Sequence, residues 1–219
     1  MGFREGAAVW FRCAPGCVTA LRYSRPMDID ADSPILAGTH AGHVPTPVLT
    51  TLSPSRASDF KTCPQLYKFK SIDKIPTEPT IHQARGTTAH LALERLFALP
   101  APERTPERLY DLFRDAWAQL KVDEYPDLFT SVDEERDWGI ESLHLLAAYF
   151  GMEDPSSFEP EELEMDLTVD IDHMTIRGIL DRMERIVEVD DAGSSRELLV
   201  ITDYKTGRAP PPQYANKAF

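Results

Sequence analysis

Residues 197–207, ELLVITDYKTG, read as a strand that ends in chemistry. Leu199, Ile201, Asp203 and Lys205 share one face at period two, and Leu198, Val200, Thr202 and Tyr204 share the other. Both faces begin apolar, as in an interior strand covered on two sides. One face then turns polar. Asp203 and Lys205 stand two apart, so their side chains project together from the strand end. A carboxylate beside an ammonium suits a hard cation, Mg²⁺ or Mn²⁺, with the lysine orienting a water and helping to deprotonate it. The alternative is a surface ion pair ahead of the Thr206-Gly207 turn.

Two further extended segments precede it. Leu163, Met165, Leu167 and Val169 alternate with Glu164, Asp166, Thr168 and Asp170, the pattern of a half-buried strand. A turn near Asp172-His173 leads into MTIRGILDRMERIVEV, residues 174–189. Gly178 within it predicts a close backbone approach. Asp181 follows Ile179 and Leu180, with Met183 beyond. An acid inside an apolar strand is costly to bury unless a metal or a partner compensates it. The alternative is a pair with Arg182 or Arg185 at the strand edge. Three sequential strands joined by short turns make an antiparallel meander, with Asp181 and Asp203 on neighbouring strands.

The first half reads as helical. Ser53 caps a helix with Pro54 at its first position, carrying Arg56, Ala57, Phe60 and Lys61. Pro64 opens another turn, in which Tyr67 and Phe69 interleave with Lys68 and Lys70. This pattern fits a patch that contacts phosphates or bases, or lysines snorkelling around two core aromatics. Residues 78–83 read as a linker. A helix then runs from about Thr87 to Pro100, placing His90, Leu93, Glu94 and Phe97 on one stripe. His90 is a ligand candidate or a core-edge histidine bonded to Glu94. Thr105-Pro106 starts a helix with an apolar stripe of Leu109, Leu112, Phe113, Ala116, Trp117 and Leu120. A last helix over roughly 133–150 has an acidic first turn that complements the helix dipole and reads as a solvated face.

The chain has 219 residues and a formal net charge of −13, which by itself argues against a nucleic-acid partner. The charge is uneven, however. Residues 123–164 hold fourteen acids and one arginine, whereas residues 53–74 hold five bases against two acids. Screening over about 8 Å lets a local basic patch act while a distant acidic face leaves it unopposed. Three cysteines, Cys13, Cys17 and Cys63, argue against a disulfide framework and make a reducing cytoplasm the expected compartment. No apolar run approaches the roughly 20 residues of a membrane span. Residues 1–47 read as an unstructured tail, with 1–26 ahead of a second plausible start at Met27, and residues 48–219 as the folded domain.

One histidine and two carboxylates can hold one or two hard divalent ions, whose charge a phosphodiester displacement needs. The order of the pieces resembles the PD-(D/E)XK nuclease superfamily, in its RecB-type exonuclease branch with its Cas4-like members; short RecB-like proteins of actinobacterial type are similar. The matching pieces are Leu52-Ser53-Pro54-Ser55 with Cys63-Pro64, Gly86-x3-His90-x2-Leu93-Glu94, Gly178-Ile179-Leu180-Asp181-Arg182, and Asp203-Tyr204-Lys205-Thr206-Gly207. The resemblance implies an α/β restriction-endonuclease-like core, a central mixed sheet flanked by helices. It implies that His90, Asp181, Asp203 and the Tyr204 carbonyl bind Mg²⁺ or Mn²⁺, with Lys205, Asp203 and Asp181 catalytic. Imidazole tilts the preference toward Mn²⁺. DNA is the implied substrate, cut in recombination or repair, with Arg56, Lys61, Lys68 and Lys70 as the candidate DNA contacts.

Two departures from the family pattern stand out. The family continues with a Gln-x3-Tyr helix, and Gln213-Tyr214 lacks that spacing, so the C-terminal helix is expected to be missing. Iron–sulfur members pair a cysteine near Cys63 with three later ones, and no cysteine follows Cys63, so no cluster is expected. No G-x4-G-K-[ST] segment is present, so any ATP coupling would come from a helicase partner. A second reading keeps the fold as a non-catalytic module that binds DNA or a helicase. A third, an unrelated α+β protein, predicts that His90, Asp181 and Asp203 diverge in space.

Overall fold

Helix starts follow from side chains that satisfy the first free N–H groups. The computed structural model describes residues 51–207 except 173 and 190–192, and the backbone course of two strands, Ala8–Trp10 (β1) and Thr19–Pro26 (β2). These strands fall where an unstructured tail is expected. Leu21 and Tyr23 alternate with Arg22 and Ser24 there, a period-two pattern. The other positions of 1–47, and residues 208–219 with Gln213 and Tyr214, lie outside the described residues. The chain clusters into two compact units, the larger from residues 1–25, 77–165 and 180–219, the smaller from 26–76 and 166–179.

In the smaller unit, Thr51–Leu52 (β3) pairs in parallel with Thr175 and Ile176. Helix α1, Pro54–Thr62, opens as its sequence dictates: the Ser53 hydroxyl accepts from the Arg56 N–H at 3.4 Å. Helix α2, Pro64–Tyr67, runs on into a π-helical turn, Lys68–Ile72. Gly178 corrects its expectation, since a Cβ there would meet nothing within 4 Å.

In the larger unit, helix α3 spans Ile81–Phe97. It starts six residues before Thr87, so the linker reading of 78–83 fails at 81–83. Thr80 and Gln83 form a capping box that the periodicity does not reveal: the Thr80 hydroxyl accepts from Gln83 N–H at 3.2 Å, and the Gln83 side chain accepts from Thr80 N–H at 2.9 Å. Helix α4, Pro106–Asp123, is capped by Thr105, and helix α5, Val132–Tyr149, by Ser131. Both α4 and α5 pack on α3, burying Leu93, Leu96, Leu109 and Leu146 completely. Burying side chains of this size contributes about 1.5–3 kcal/mol each, before entropy is counted.

The strands Glu162–Ile171 (β4), Met174–Val189 (β5) and Ser195–Lys205 (β6) follow in sequence. β4 pairs with β5, and β5 pairs antiparallel with β6 in a register from Val189↔Ser195 to Arg182↔Thr202. β2 lies beside β6, with β1 beyond it. The parallel β3–β5 and antiparallel β5–β6 pairs make the sheet mixed, and helices flank it: the fold class is α/β. On β6 the face of Leu198, Val200, Thr202 and Tyr204 is buried; Leu199, Ile201 and Asp203 on the other are half-buried and Lys205 is exposed.

Candidate metal centre

The ladder between β5 and β6 stops at Arg182↔Thr202. One step further in that register stand Asp181 and Asp203, on neighbouring strands as expected. Past this point the backbone of Tyr204 is held by side chains. Its N–H donates to Asp181 Oδ2 at 2.5 Å, and its carbonyl lies 2.8 Å from His90 Nε2. The other ring nitrogen, His90 Nδ1, lies 3.4 Å from Asp181 Oδ1. Helix α3 thus delivers His90 to the strand end. Its stripe works as read, with Leu93 and Phe97 in the core. The partners of His90 are Asp181 and Tyr204, the one a carboxylate and the other a backbone carbonyl.

A third acidic group joins them. Nitrogen or oxygen atoms of His90, Glu164 and Asp181 all lie within 4.8 Å of one another. Sequence reasoning missed Glu164, because strict alternation assigns it to the solvent face of β4. Its backbone shows why that assignment fails: φ is 46°, left-handed for a non-glycine residue inside a strand. Such a residue costs about 1–2 kcal/mol and re-aims the side chains around it. No residue-type signal marks the kink.

The electrostatics follow from burial and charge. Burial opposes protonation of His90, but Asp181, the Tyr204 carbonyl and Glu164 outweigh it, so its pKa is raised. Burial, then the Asp181 and Glu94 carboxylates, raise the Glu164 pKa, although His90 pulls the other way. Asp181 itself is buried, 8 % exposed. Neither Arg182 nor Arg185 is its partner. Arg182 turns to the opposite side and pairs with Glu153 at 2.5 Å, and Arg185 pairs with Glu161 at 3.0 Å.

Asp203 stands outside the group of three. Its Oδ1 accepts from the Lys205 ammonium at 2.7 Å, and the lysine side chain is 62 % exposed. The Asp-x-Lys pair projects from the strand end with its two members bonded to each other, the geometry of the surface ion pair that the sequence leaves as the alternative. Thr206 Oγ1 lies 3.5 Å from where a Cβ on Gly86 would stand, so α3 approaches the strand end closely there.

The donor set fits a divalent cation: one imidazole, two carboxylates and a backbone carbonyl, presented from α3, β4, β5 and β6. Hard oxygen donors suit Mg²⁺ or Mn²⁺, and the imidazole suits a transition ion. The convergence of His90 and Asp181 also counts against an unrelated fold in which they diverge.

The remaining candidates lie in the smaller unit. Lys68 bonds Asp73 at 2.5 Å and Lys70 bonds Asp59 at 3.1 Å. Arg56 donates to the Thr51 carbonyl at 3.2 Å, and Lys61 is exposed. Of the two aromatics that interleave with these lysines, Phe69 is exposed and Tyr67 is half-buried. Among the described residues, no helix is long and apolar enough to cross a membrane.

No curated protein and no solved structure matches the chain. A sequence profile of the PD-(D/E)XK nuclease superfamily does match it, over residues 51–218. That span takes in the capped helix at Pro54, His90 on α3, Asp181 on β5 and the Asp203-Tyr204-Lys205 strand end. The chain belongs to the PD-(D/E)XK nuclease superfamily, whose members are metal-dependent nucleases.

Proposed function

We propose that this chain is a RecB-type exonuclease domain that hydrolyses DNA phosphodiester bonds in recombination and repair with Mg²⁺ or Mn²⁺. The observation that carries the reading is the convergence of His90, Asp181, Glu164 and the Tyr204 carbonyl at the end of the β5–β6 ladder. His90, Asp181, Glu164 and the Tyr204 carbonyl would hold the ion, with Asp203 joining them when Lys205 releases its carboxylate. When bound, the ion supplies positive charge to the phosphate and lowers the pKa of a water.

The chain's own residues do the rest. Asp181 fixes the Tyr204 amide and faces the imidazole, which keeps the ring and the carbonyl turned to one point. Lys205 extends beside that point and orients the attacking water once its bond to Asp203 gives way to substrate. The water oxygen forms the new bond to phosphorus. The bond from phosphorus to the leaving sugar oxygen breaks, that oxygen gains a proton, and the water loses one. Arg56, Lys61, Lys68 and Lys70 of the smaller unit are the proposed phosphate contacts, and a helicase subunit is a proposed partner.

The test compares linear duplex, linear single-stranded and covalently closed circular DNA with Mn²⁺ or Mg²⁺, using wild type and Asp181→Asn. Loss of the linear substrates with sparing of the circle, abolished by Asp181→Asn, is the expected result. Cutting of the circle would make the enzyme an endonuclease. Equal cutting by the variant would remove this centre from the reaction.

A further inference from the structure

Arg182 is completely buried, next in sequence to Asp181 on β5. Its guanidinium lies over the rings of Phe97 and Phe158, at 4.8 and 4.6 Å from their centroids. One terminal nitrogen, Nη1, donates to Glu153 Oε1 at 2.5 Å and to the Tyr204 hydroxyl at 2.7 Å. The other, Nη2, donates to Glu153 Oε2 at 3.0 Å and Thr202 Oγ1 at 3.1 Å. Tyr149 closes the arrangement, donating its hydroxyl to Glu153. Burying an ion pair of this kind is weak evidence of added stability, because apolar residues of the same volume often do as well. A constraint on geometry is a better reason for it.

That constraint falls on Tyr204. Two consecutive residues of β5 grip it at opposite ends: Asp181 takes its backbone N–H and Arg182 takes its hydroxyl. The carbonyl between those two grips is the one that faces His90. The register with β5 ends at Arg182↔Thr202, before Tyr204, and the Tyr204 N–H and carbonyl meet the side chains of Asp181 and His90 instead. We propose that Arg182, held by Glu153, is a positioning residue for the metal centre. Through the Tyr204 hydroxyl it fixes the angle at which the Tyr204 carbonyl meets the ion. Glu153, which follows α5, thereby sets divalent-ion affinity from the far side of the strand without touching the ion. The inference rests on the proposed reading of the centre as a divalent-metal site.

The experiment is Mn²⁺ titration calorimetry on the full chain, with far-ultraviolet circular dichroism to show that each variant is folded. The variants are Tyr204→Phe, Glu153→Gln, Asp181→Asn and Leu109→Val. Tyr204→Phe keeps the ring and removes only the grip. Leu109→Val loosens the core on α4, far in sequence from the network, and serves as a destabilised control. Outer partners of metal ligands typically change affinity by about 10–100-fold. The expected result is Mn²⁺ binding weakened about tenfold or more by Tyr204→Phe and by Glu153→Gln. Leu109→Val binds as wild type in spite of its own loss of melting temperature, and Asp181→Asn does not bind. Wild-type affinity in Tyr204→Phe and Glu153→Gln, with binding lost in Asp181→Asn, overturns the positioning role and leaves the metal centre standing. Equal weakening by Leu109→Val reduces the network to general stability and overturns it too. Wild-type binding by Asp181→Asn overturns the centre and the inference together.

Discussion

Replacing Asp181 by alanine and by asparagine separates two jobs that one carboxylate performs. Asp181 is 8 % exposed and accepts from the Tyr204 N–H at 2.5 Å, while Tyr204 itself is 3 % exposed. Water therefore has little access to that amide once its acceptor is gone. Leaving a buried N–H unpaired costs about 1–3 kcal/mol. Asparagine keeps an oxygen at nearly the same place, so it retains the bond and loses only the charge. Both variants relieve the repulsion between Asp181 and Glu164 equally. The difference between them isolates the hydrogen bond, and Asp181→Ala should fall below Asp181→Asn by about 1–3 kcal/mol. For a chain of this size that is a gap of about 2–12 °C in Tm. The assay is thermal and urea unfolding in chelator at pH 8. The charge then shows itself at lower pH. The folded-state pKa of His90 is raised, so its stabilising contribution is complete below the ordinary histidine range and is lost as pH rises through the raised value. Wild type should exceed Asp181→Asn by more at pH 5.5 than at pH 8. Equal stability of the alanine and asparagine variants would refute the Tyr204 bond. A gap between wild type and asparagine that ignores pH would refute the pairing with His90.

The metal-free protein should lose stability from pH 5 to pH 8, because His90 surrenders its proton and the raised Glu164 carboxyl must ionise where burial and Asp181 oppose it. Saturating Mn²⁺ should reverse that slope, since protons compete for the same atoms; parallel slopes with and without metal would remove these groups from the ion site. Lys205→Ala should lower turnover and leave Mn²⁺ affinity within about twofold, as expected of an ammonium that orients water outside the ligand set. Calorimetry beside cleavage assays reads both, and unchanged turnover would dismiss Lys205. Changing Lys68 and Lys70 to alanine together should flatten the salt dependence of DNA binding by about two units of slope at most. An unaltered slope would confine them to their bonds with Asp73 and Asp59.

What the sequence discloses depends on whether a residue acts through its own side chain at a regular period. Ser53-Pro54 and Thr105-Pro106 announce helix starts through their own chemistry, and α1 and α4 begin there. The alternation in 197–207 gives the strand, its buried face and its polar end. The stripe on α3 brings His90 to the strand face that needs it. Thr80 gives no such signal, because its box partner, Gln83, precedes the apolar stripe that marks the helix. Glu164 escapes the period for a different reason: a single residue at φ 46° breaks the alternation that assigns faces. Arg182 is next to Asp181 in sequence, yet consecutive strand residues point to opposite faces, and the period itself rules that pair out.

The same rule explains how one short segment of β5 serves two surfaces. Asp181 and Arg182 diverge, one to the carboxylate cluster, the other, fully buried, to Glu153, and both return to Tyr204. A strand that continued its ladder would spend the Tyr204 N–H and carbonyl on backbone partners. Here pairing stops at Arg182↔Thr202, and those two groups become available to a carboxylate and an imidazole. Backbone groups released this way are costly when buried without partners. Where the pairing with β5 ends, side chains stand in for its backbone at Tyr204, and the side chains that do so are ones that can hold a divalent ion. Fold and chemistry make the same demand at this point: a carboxylate on β5 one residue past the last pair, and a helix close enough to deliver a histidine.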